Sequence, residues 1–514
     1  MSKLIFVVGL TLAITIDAFN STLFSFARAH MMGDLQATPD EISWLNTVFL
    51  AVKLAFFPVA AWFVDRFGVR PLFITAFASL GLTSLAMLQM PALETFIGIR
   101  ILQGAFGACL LVAAHHLLFQ RAFLQKSQGV FQSIFALGAV MAPTSLCPYI
   151  LGWFVEEASW TEITKINLLL CFASLTLLLS VRGYFARYDH QSRHLDWIGY
   201  GLLAIAIFLI TYLLLEGPRW NWLDDPHIKW LSLLALLIGT FFLIRTLFFA
   251  SQASLFSAGL FANDSFSLGF FVSFIAGFAL FGTAFLIPVF SIQVLQNPVN
   301  EAGWLLAPSI FSVGGALLCA GALMRLPRFN PLKLVPLGIL LFMIAMGMLS
   351  GSNSSSGAPD LIPALIIRGA GLGFLFLAIT AITLFSLAPR HLASGIALFN
   401  FGRQMGGIIG ISFLQTYLNT RNAHNRQILT EYLNPANPAF QNAQERLSDL
   451  LTNKGLDPLN SLKAAARILQ SEVQQQVGLL SFNEAFLTII LFFLLAMPCA
   501  LSLKLFLKRK ASKR

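Results

Sequence analysis

The chemistry this sequence can do starts from Asp17. It sits inside an apolar run, Leu4 to Ala27, and a charge carried into hydrocarbon is retained mainly where it faces a cavity or a partner. Asn20 and Ser21 follow at i+3 and i+4, so one stripe of that helix is polar and faces water or other helices. The basic residues inside apolar runs are Lys53, Arg100, Arg368 and Arg403, with His115 and His116 nearer the inner surface. Glu484 lies just inside the outer start of the last run. At 1.5 Å per residue, Asp17 falls roughly 20 Å from the inner end of its helix and Arg100 roughly 8 Å from the outer end of its own. In a core about 30 Å thick both are in the outer half, where they can meet. A carboxyl in apolar surroundings favours its neutral form, and one beside a guanidinium its charged form. A group alternating between the two is what a proton-coupled carrier needs; the alternative is a permanent structural ion pair.

Arg100, Gln103, Gly104 and Gly107 form a donor-rich stripe that merges into a smooth seam for close helix contact. Arg368 with Gly369, Gly371 and Gly373 echoes it late in the chain, as does Asn400, Arg403, Gln404, Gly406, Gly407 and Gly410. An arginine followed by glycines in an early and a late span hints at duplicated halves. The pairs His115, His116 and His190, His194 raise a different class, a membrane oxidase or acyltransferase. They occupy different connections and supply no converging metal set, so no metal or cofactor is expected. No glycine-rich loop ending in Gly-Lys-Ser/Thr is present, so uphill work needs an ion gradient.

The elements that must position these groups are membrane helices. The chain has 514 residues, 57% hydrophobic and 11% charged, against about 25% charged in a globular domain. This excludes a cytosolic enzyme and predicts an all-α integral membrane protein. Fourteen apolar runs long enough to cross a bilayer lie near 4–27, 42–64, 71–90, 95–119, 128–154, 164–182, 197–216, 228–250, 266–290, 303–324, 332–350, 361–387, 394–417 and 482–506. The first is too long for a cleavable signal peptide. With both termini cytosolic, the inner segments collect Arg66, Arg70, Lys126, Arg245, Arg390 and the basic tail, while the outer loops hold only Arg28, Lys165, Arg219 and Lys229. The +10 net charge is thus placed against anionic lipid, and nucleic acid is not needed to explain it. The five cysteines all lie in apolar runs and read as packing residues. Residues 418–481 form a long polar outer segment. Within it Asp457-Pro458 starts an amphipathic helix carrying Leu459, Leu462, Ala466, Leu469 and Val473, either packed on the outer mouth or docking another protein.

Several stretches look familiar. After span 2, Ala61 to Pro71, with Asp65, Arg66, Gly68 and Arg70, resembles the signature loop of the major facilitator superfamily, with Ala61 for the leading glycine and Val69 for a basic residue. Arg100, Gln103, Gly104 and Gly107 match its span 4 motif. Gly138, Ala142, Pro143, Pro148 and Gly152 resemble the antiporter motif of span 5, and Asp17 stands where the fourteen-span drug:proton antiporter branch carries its first acid. Asp196-Trp197-x-Gly199, Pro288 to Pro308, and Ser394 to Gly407 are similar to later signatures of that branch. The long loop, with Asn434-Pro435-Ala436-Asn437-Pro438, is similar to Emr-type inner-membrane pumps of Gram-negative bacteria.

The resemblance implies a major facilitator fold: a six-helix bundle over 1–183, a linker with spans 7 and 8 over 184–254, spans 9–13 over 255–417, the periplasmic loop 418–481, and span 14 with a basic cytosolic tail over 482–514. It implies alternating access, with Asp65 latching the inner gate and Gly138 and Pro143 shaping span 5 where the bundles meet. A periplasmic adaptor and an outer-membrane channel are its implied partners. The expectation is a secondary active exporter in the inner membrane that exchanges protons for an amphipathic small molecule. Asp17 carries the proton beside Arg100, and Asn20, Ser21, Gln103, Arg368, Arg403 and Glu484 are candidates for the cavity. The rivals are a dedicated exporter of one metabolite such as a siderophore, and a non-transporting membrane sensor or enzyme.

Overall fold

The computed structural model describes residues 2–89, 92–120, 125–181, 183, 196–248, 260–261, 263–326, 329–434 and 436–511. His190, His194 and Pro435 lie outside them. The helices in chain order are α1 (Ser2–Asp34), α2 (Pro39–Phe67), α3 (Val69–Met87), α4 (Leu93–Phe119), α5 (Gln128–Glu157), α6 (Thr161–Ser180), α7 (Trp197–Glu216), α8 (Pro226–Thr246), α9 (Asp264–Gln293), α10 (Val299–Leu323), α11 (Pro331–Leu349), α12 (Ala358–Leu384), α13 (Leu392–Thr430), α14 (Pro438–Asn453) and α15, which begins at Pro458.

Thirteen helices among the described residues are long and apolar enough to cross a membrane. The remaining run of the expected fourteen is α13. It falls short in apolarity because it carries Asn400, Arg403 and Gln404, all buried inside the protein rather than facing lipid. Local sequence sets the helix ends. Thr38 caps α2: Glu41 N–H donates to its Oγ1 at 3.3 Å, and the Thr38 N–H donates to Glu41 Oε2 at 2.8 Å, a reciprocal capping box. Asp196 caps α7 by accepting the Gly199 N–H at 3.0 Å.

Helices α1 to α6 pack together, as do α9 to α13 with α15, and the two groups meet along α2–α13 and α5–α10. The α7–α8 hairpin lies against α2 and α13, with Trp44 stacked on Tyr212 at 5.1 Å and Trp222 Nε1 donating to Thr416 at 2.9 Å. Phe96 and Trp160 close the core of the first group at the end away from the chain termini.

The polar segment 418–481 differs from its expected form. Helix α13 runs on to Thr430, and the helix starting at Pro458 continues without a break through residue 481 into the last span. No proline separates Val473 from Phe482, and the single Gly478 costs a helix only about 1 kcal/mol. The expected amphipathic helix is therefore the projecting first half of α15, with α14 packed against it. Of the cysteines, Cys109, Cys147 and Cys171 are buried and free, while Cys319 is exposed.

Candidate functional site

Asp17 is buried, and its partner is Lys53: Nζ donates to Oδ2 at 2.7 Å, with both side chains almost wholly enclosed. Lys53 also donates to Ser21 Oγ at 2.9 Å, and Ser21 donates to the Asp17 carbonyl at 2.7 Å. Asp17 and Ser21 thus face Lys53 of α2, with Asp17 also against Gly107 of α4, while the Asn20 side chain turns to α6. Gly107 makes room for the carboxylate, since a Cβ there would stand 2.5 Å from Asp17 Oδ1. That oxygen has no hydrogen-bond partner.

Arg100 does not contact Asp17. Its Nε donates to the Leu45 carbonyl at 3.2 Å, its Nη1 donates to the Asn20 carbonyl and to Gln103 Oε1 at 3.0 Å each, and its plane lies 4.1 Å from the Phe49 ring centroid. The guanidinium ties α4 to the backbones of α1 and α2 and is within electrostatic reach of Asp17 without pairing with it. The expected Asp17–Arg100 pair is therefore replaced by Asp17–Lys53. Depth explains the choice. Lys53 is roughly 21 Å from the start of α2 and Asp17 roughly 26 Å from the end of α1, whereas Arg100 is only about 10 Å into α4. Asn20 Oδ1 accepts from Asn167 Nδ2 at 2.9 Å, and Gln103 Nε2 meets Met87 Sδ at 3.0 Å, so both amides are structural ties.

Arg403 of α13 brings the second group of helices to this site. It is buried over Phe376 at 5.2 Å, its Nε has no partner, and it interacts electrostatically with Asp17, Lys53 and His115. Arg368 lies apart. Its Nε and Nη2 donate to Thr283 Oγ1 at 3.0 and 2.8 Å, and Nη1 is unpartnered. Glu484 is also apart from Asp17: it forms a two-pronged pair with Arg421, 2.6 Å through Nη2, between α13 and α15.

The signature loop is a single residue. Gly68 has φ +81°, a conformation that favours glycine, and joins α2 to α3 directly. Asp65 before it is buried, while Arg66 and Arg70 are exposed. In α5 the backbone winds wide over Leu137–Leu146, with the Cys147 N–H bonded five residues back to the Ala142 carbonyl, a geometry that accommodates Pro143. Gly138 abuts the Thr11 carbonyl of α1, and Gly152 abuts Gly303 of α10, itself close to the Pro148 carbonyl. The α5–α10 contact is closed at both ends, with Asn300 N–H donating to Glu156 at 2.7 Å at one and Gly129 against Gly321 at the other.

Residues 10–411 match the family described as Major Facilitator Superfamily. The chain is similar to a protein named Multidrug export protein EmrB from Escherichia coli (strain K12), 25% identical over 491 residues, covering 94% of this chain and 91% of that protein. It is similar to Colistin resistance protein EmrB from Acinetobacter baumannii, 24% identical over 457 residues, covering 88% and 86%. Among solved structures it resembles the human organic anion transporter MFSD10, with a TM-score of 0.54, 11% identity and coverage of 95% of this chain and 98% of that one. It also resembles the proton:xylose symporter XylE, with a TM-score of 0.51, 11% identity and coverage of 95% and 94%. At that identity the likeness to the solved structures is one of fold.

Proposed function

This chain belongs to the Major Facilitator Superfamily, and from that premise we propose that it is a proton-coupled exporter of hydrophobic or amphipathic compounds, an antiporter that alternates access between its two helix groups. The observation that carries the reading is the buried Asp17–Lys53 pair at 2.7 Å beside the α2–α13 contact. A carboxylate at this depth holds its charge only while a cation compensates it. Either the Lys53 ammonium or a proton can do so, and the carrier has two states distinguished by which one does. A lone carboxylate favours H+ over Na+, which prefers several oxygens. A relative named for multidrug export and another named for colistin resistance support an amphipathic cargo.

In this reading the chain lies in the inner membrane with both termini cytosolic, and the basic inner segments support that orientation. The paired ends of α13 and α15, with α14, then project into the periplasm, where a periplasmic adaptor leading to an outer-membrane channel would dock. Exposed Leu450 on α14 is the residue to convert to cysteine for crosslinking such an adaptor.

The decisive experiment uses everted vesicles acidified inside. Asp17→Asn should abolish substrate-induced proton release while the protein remains in the membrane. Unchanged release in that variant would remove Asp17 from the mechanism and the reading with it.

A further inference from the structure

The buried charges around Asp17 do not balance. Lys53, Arg100 and Arg403 are each at least nine-tenths enclosed and interact with the one carboxylate. With all four ionised the cluster is left with two excess positive charges, and the nearby His115, with its Nδ1 unpartnered, offers no negative charge. Lys53 is matched by Asp17, and Arg100, although its Nη2 lacks an acceptor, is engaged through Nε and Nη1 by the carbonyls of Leu45 and Asn20 and by Gln103. Among the described residues no carboxylate pairs with Arg403, and its Nε is buried with no acceptor. Arg368, further off, adds another guanidinium whose one acceptor among the described residues is the Thr283 hydroxyl. An uncompensated guanidinium in a low-dielectric interior is strongly destabilising unless an anion joins it.

We propose that the exported compound carries an anionic group, a carboxylate or sulfonate on an apolar body, and that Arg403, on the helix α13 that packs against the Lys53-bearing α2, seats it. The inference rests on the export reading for its direction of transport. A guanidinium suits this task because its planar fork of N–H donors matches two oxygens of a carboxylate at once. An organic cation fits poorly, since it would enter a site that already holds surplus positive charge. Outward movement of an anion also runs with an inside-negative membrane potential, worth about 2.3 kcal/mol per charge per 100 mV. A proton on Asp17 removes the site's one negative charge, so proton and anion favour each other locally. Antiport then requires that the outward-open arrangement, in which the proton enters, loosen the seat so that the anion leaves before the proton crosses inward.

The test uses full-length protein in nanodiscs and three matched fluorescent probes: dansyl-undecanoate, its methyl ester and the corresponding dansyl alkylamine. The carboxylate should bind at least tenfold tighter than the ester, and the amine weakest. Arg403→Gln should erase the carboxylate's advantage, Arg403→Lys should keep part of it, and Asp17→Asn should bind the carboxylate at least as tightly as the unaltered protein. Equal binding of carboxylate and ester, a preference that survives Arg403→Gln, or weaker carboxylate binding by Asp17→Asn each overturns the proposal. The export reading is scored separately by moving the probes through everted vesicles. Proton-driven export of ester and carboxylate alike upholds export and rejects the anion seat. Preferential carboxylate binding without transport of any probe upholds the seat and rejects export.

Discussion

Removing Lys53 and Asp17 singly and together tests whether their pair is a working switch. Both side chains are nearly inaccessible, and among the described residues Lys53 is the one hydrogen-bond donor to the Asp17 carboxylate, at 2.7 Å. Lys53→Met keeps most of the stem's volume but leaves the carboxylate's charge without a partner. Breaking a buried pair in this way costs about 3–5 kcal/mol, and at about 1.4 kcal/mol per tenfold this disfavours the ionised form by roughly two to three and a half powers of ten. The variant avoids the cost by keeping its proton, so proton-driven export should fall at least about a hundredfold. Asp17→Asn strands the ammonium and should lower thermal stability by a similar amount. With both replaced, two neutral side chains face each other, and removing both members of a buried pair is often nearly neutral. The double variant should therefore recover most of the stability lost by each single one while remaining inactive. Thermal unfolding followed by tryptophan fluorescence, alongside vesicle transport, reads both quantities. Strictly additive losses of stability, or proton-driven export by Lys53→Met at the unaltered rate, would refute the argument.

Gly107→Ala should displace the Asp17 carboxylate, because the new methyl would fall 2.5 Å from Oδ1; transport should drop about tenfold or more by the same loss of geometry, and an unaltered pH profile would count against it. Cysteines at Gly152 and Gly303, where a Cβ on the first would lie 3.0 Å from the Cα of the second, are within disulfide reach. Oxidation should stop transport and reduction restore it; transport by the fully oxidised protein would show that these ends need not part. The Arg245 guanidinium, donating to Asp196, and then the Gly199 N–H hold the Asp196 carboxyl below its ordinary range. Stability from a lowered carboxyl is present above the unfolded value, about 3.9, and is lost as pH falls through the folded one. Arg245→Gln should accordingly cost only about 0.2–1 kcal/mol at pH 7, since both partners are about a third exposed, and the two proteins should converge in acid; a gap that persists there would place its cause elsewhere.

The helices were readable because a bilayer-length apolar run has few other ways to satisfy its backbone, and the Asp196 and Asp457-Pro458 signals mark real helix starts. The end of the polar segment was not. Gln470 to Phe482 passes from water-facing to buried without a breaker, and composition records the change of solvent while the backbone records nothing. The partner of Asp17 was hidden for a different reason. Lys53 is 36 residues away, and pairing between spans depends on their depth and rotation, which periodicity within one span does not report. The signal available was depth, and it favours Lys53 over Arg100. Arg403 was visible as a base inside an apolar run, but its nearness to Asp17 was not, because it depends on the packing of α13 against α2 and α4.

Under the proposed proton coupling, the difference between the two bases near Asp17 explains why Lys53 would switch and Arg100 would not. Arg100 donates through Nε and Nη1 to two carbonyls and an amide from three different helices, and its Cζ lies 4.1 Å from the Phe49 ring centroid. Moving it would strand several buried groups at once, each worth about 1–3 kcal/mol. Lys53 is a point charge on a flexible stem, held by Asp17 and the Ser21 hydroxyl. When a proton takes its place on the carboxylate, little besides the charge itself holds the ammonium there, and the nearest excess positive charge, on Arg403 across the α2–α13 contact, repels it. In that mechanism the protonation of one side chain in the first helix group would be felt by the second through a change in net charge at their contact, without any strain transmitted along a helix. A fixed guanidinium that positions the backbone and a mobile ammonium that answers the proton are complementary parts, and exchanging them, as Lys53→Arg would attempt, should preserve the charge yet impair the coupling.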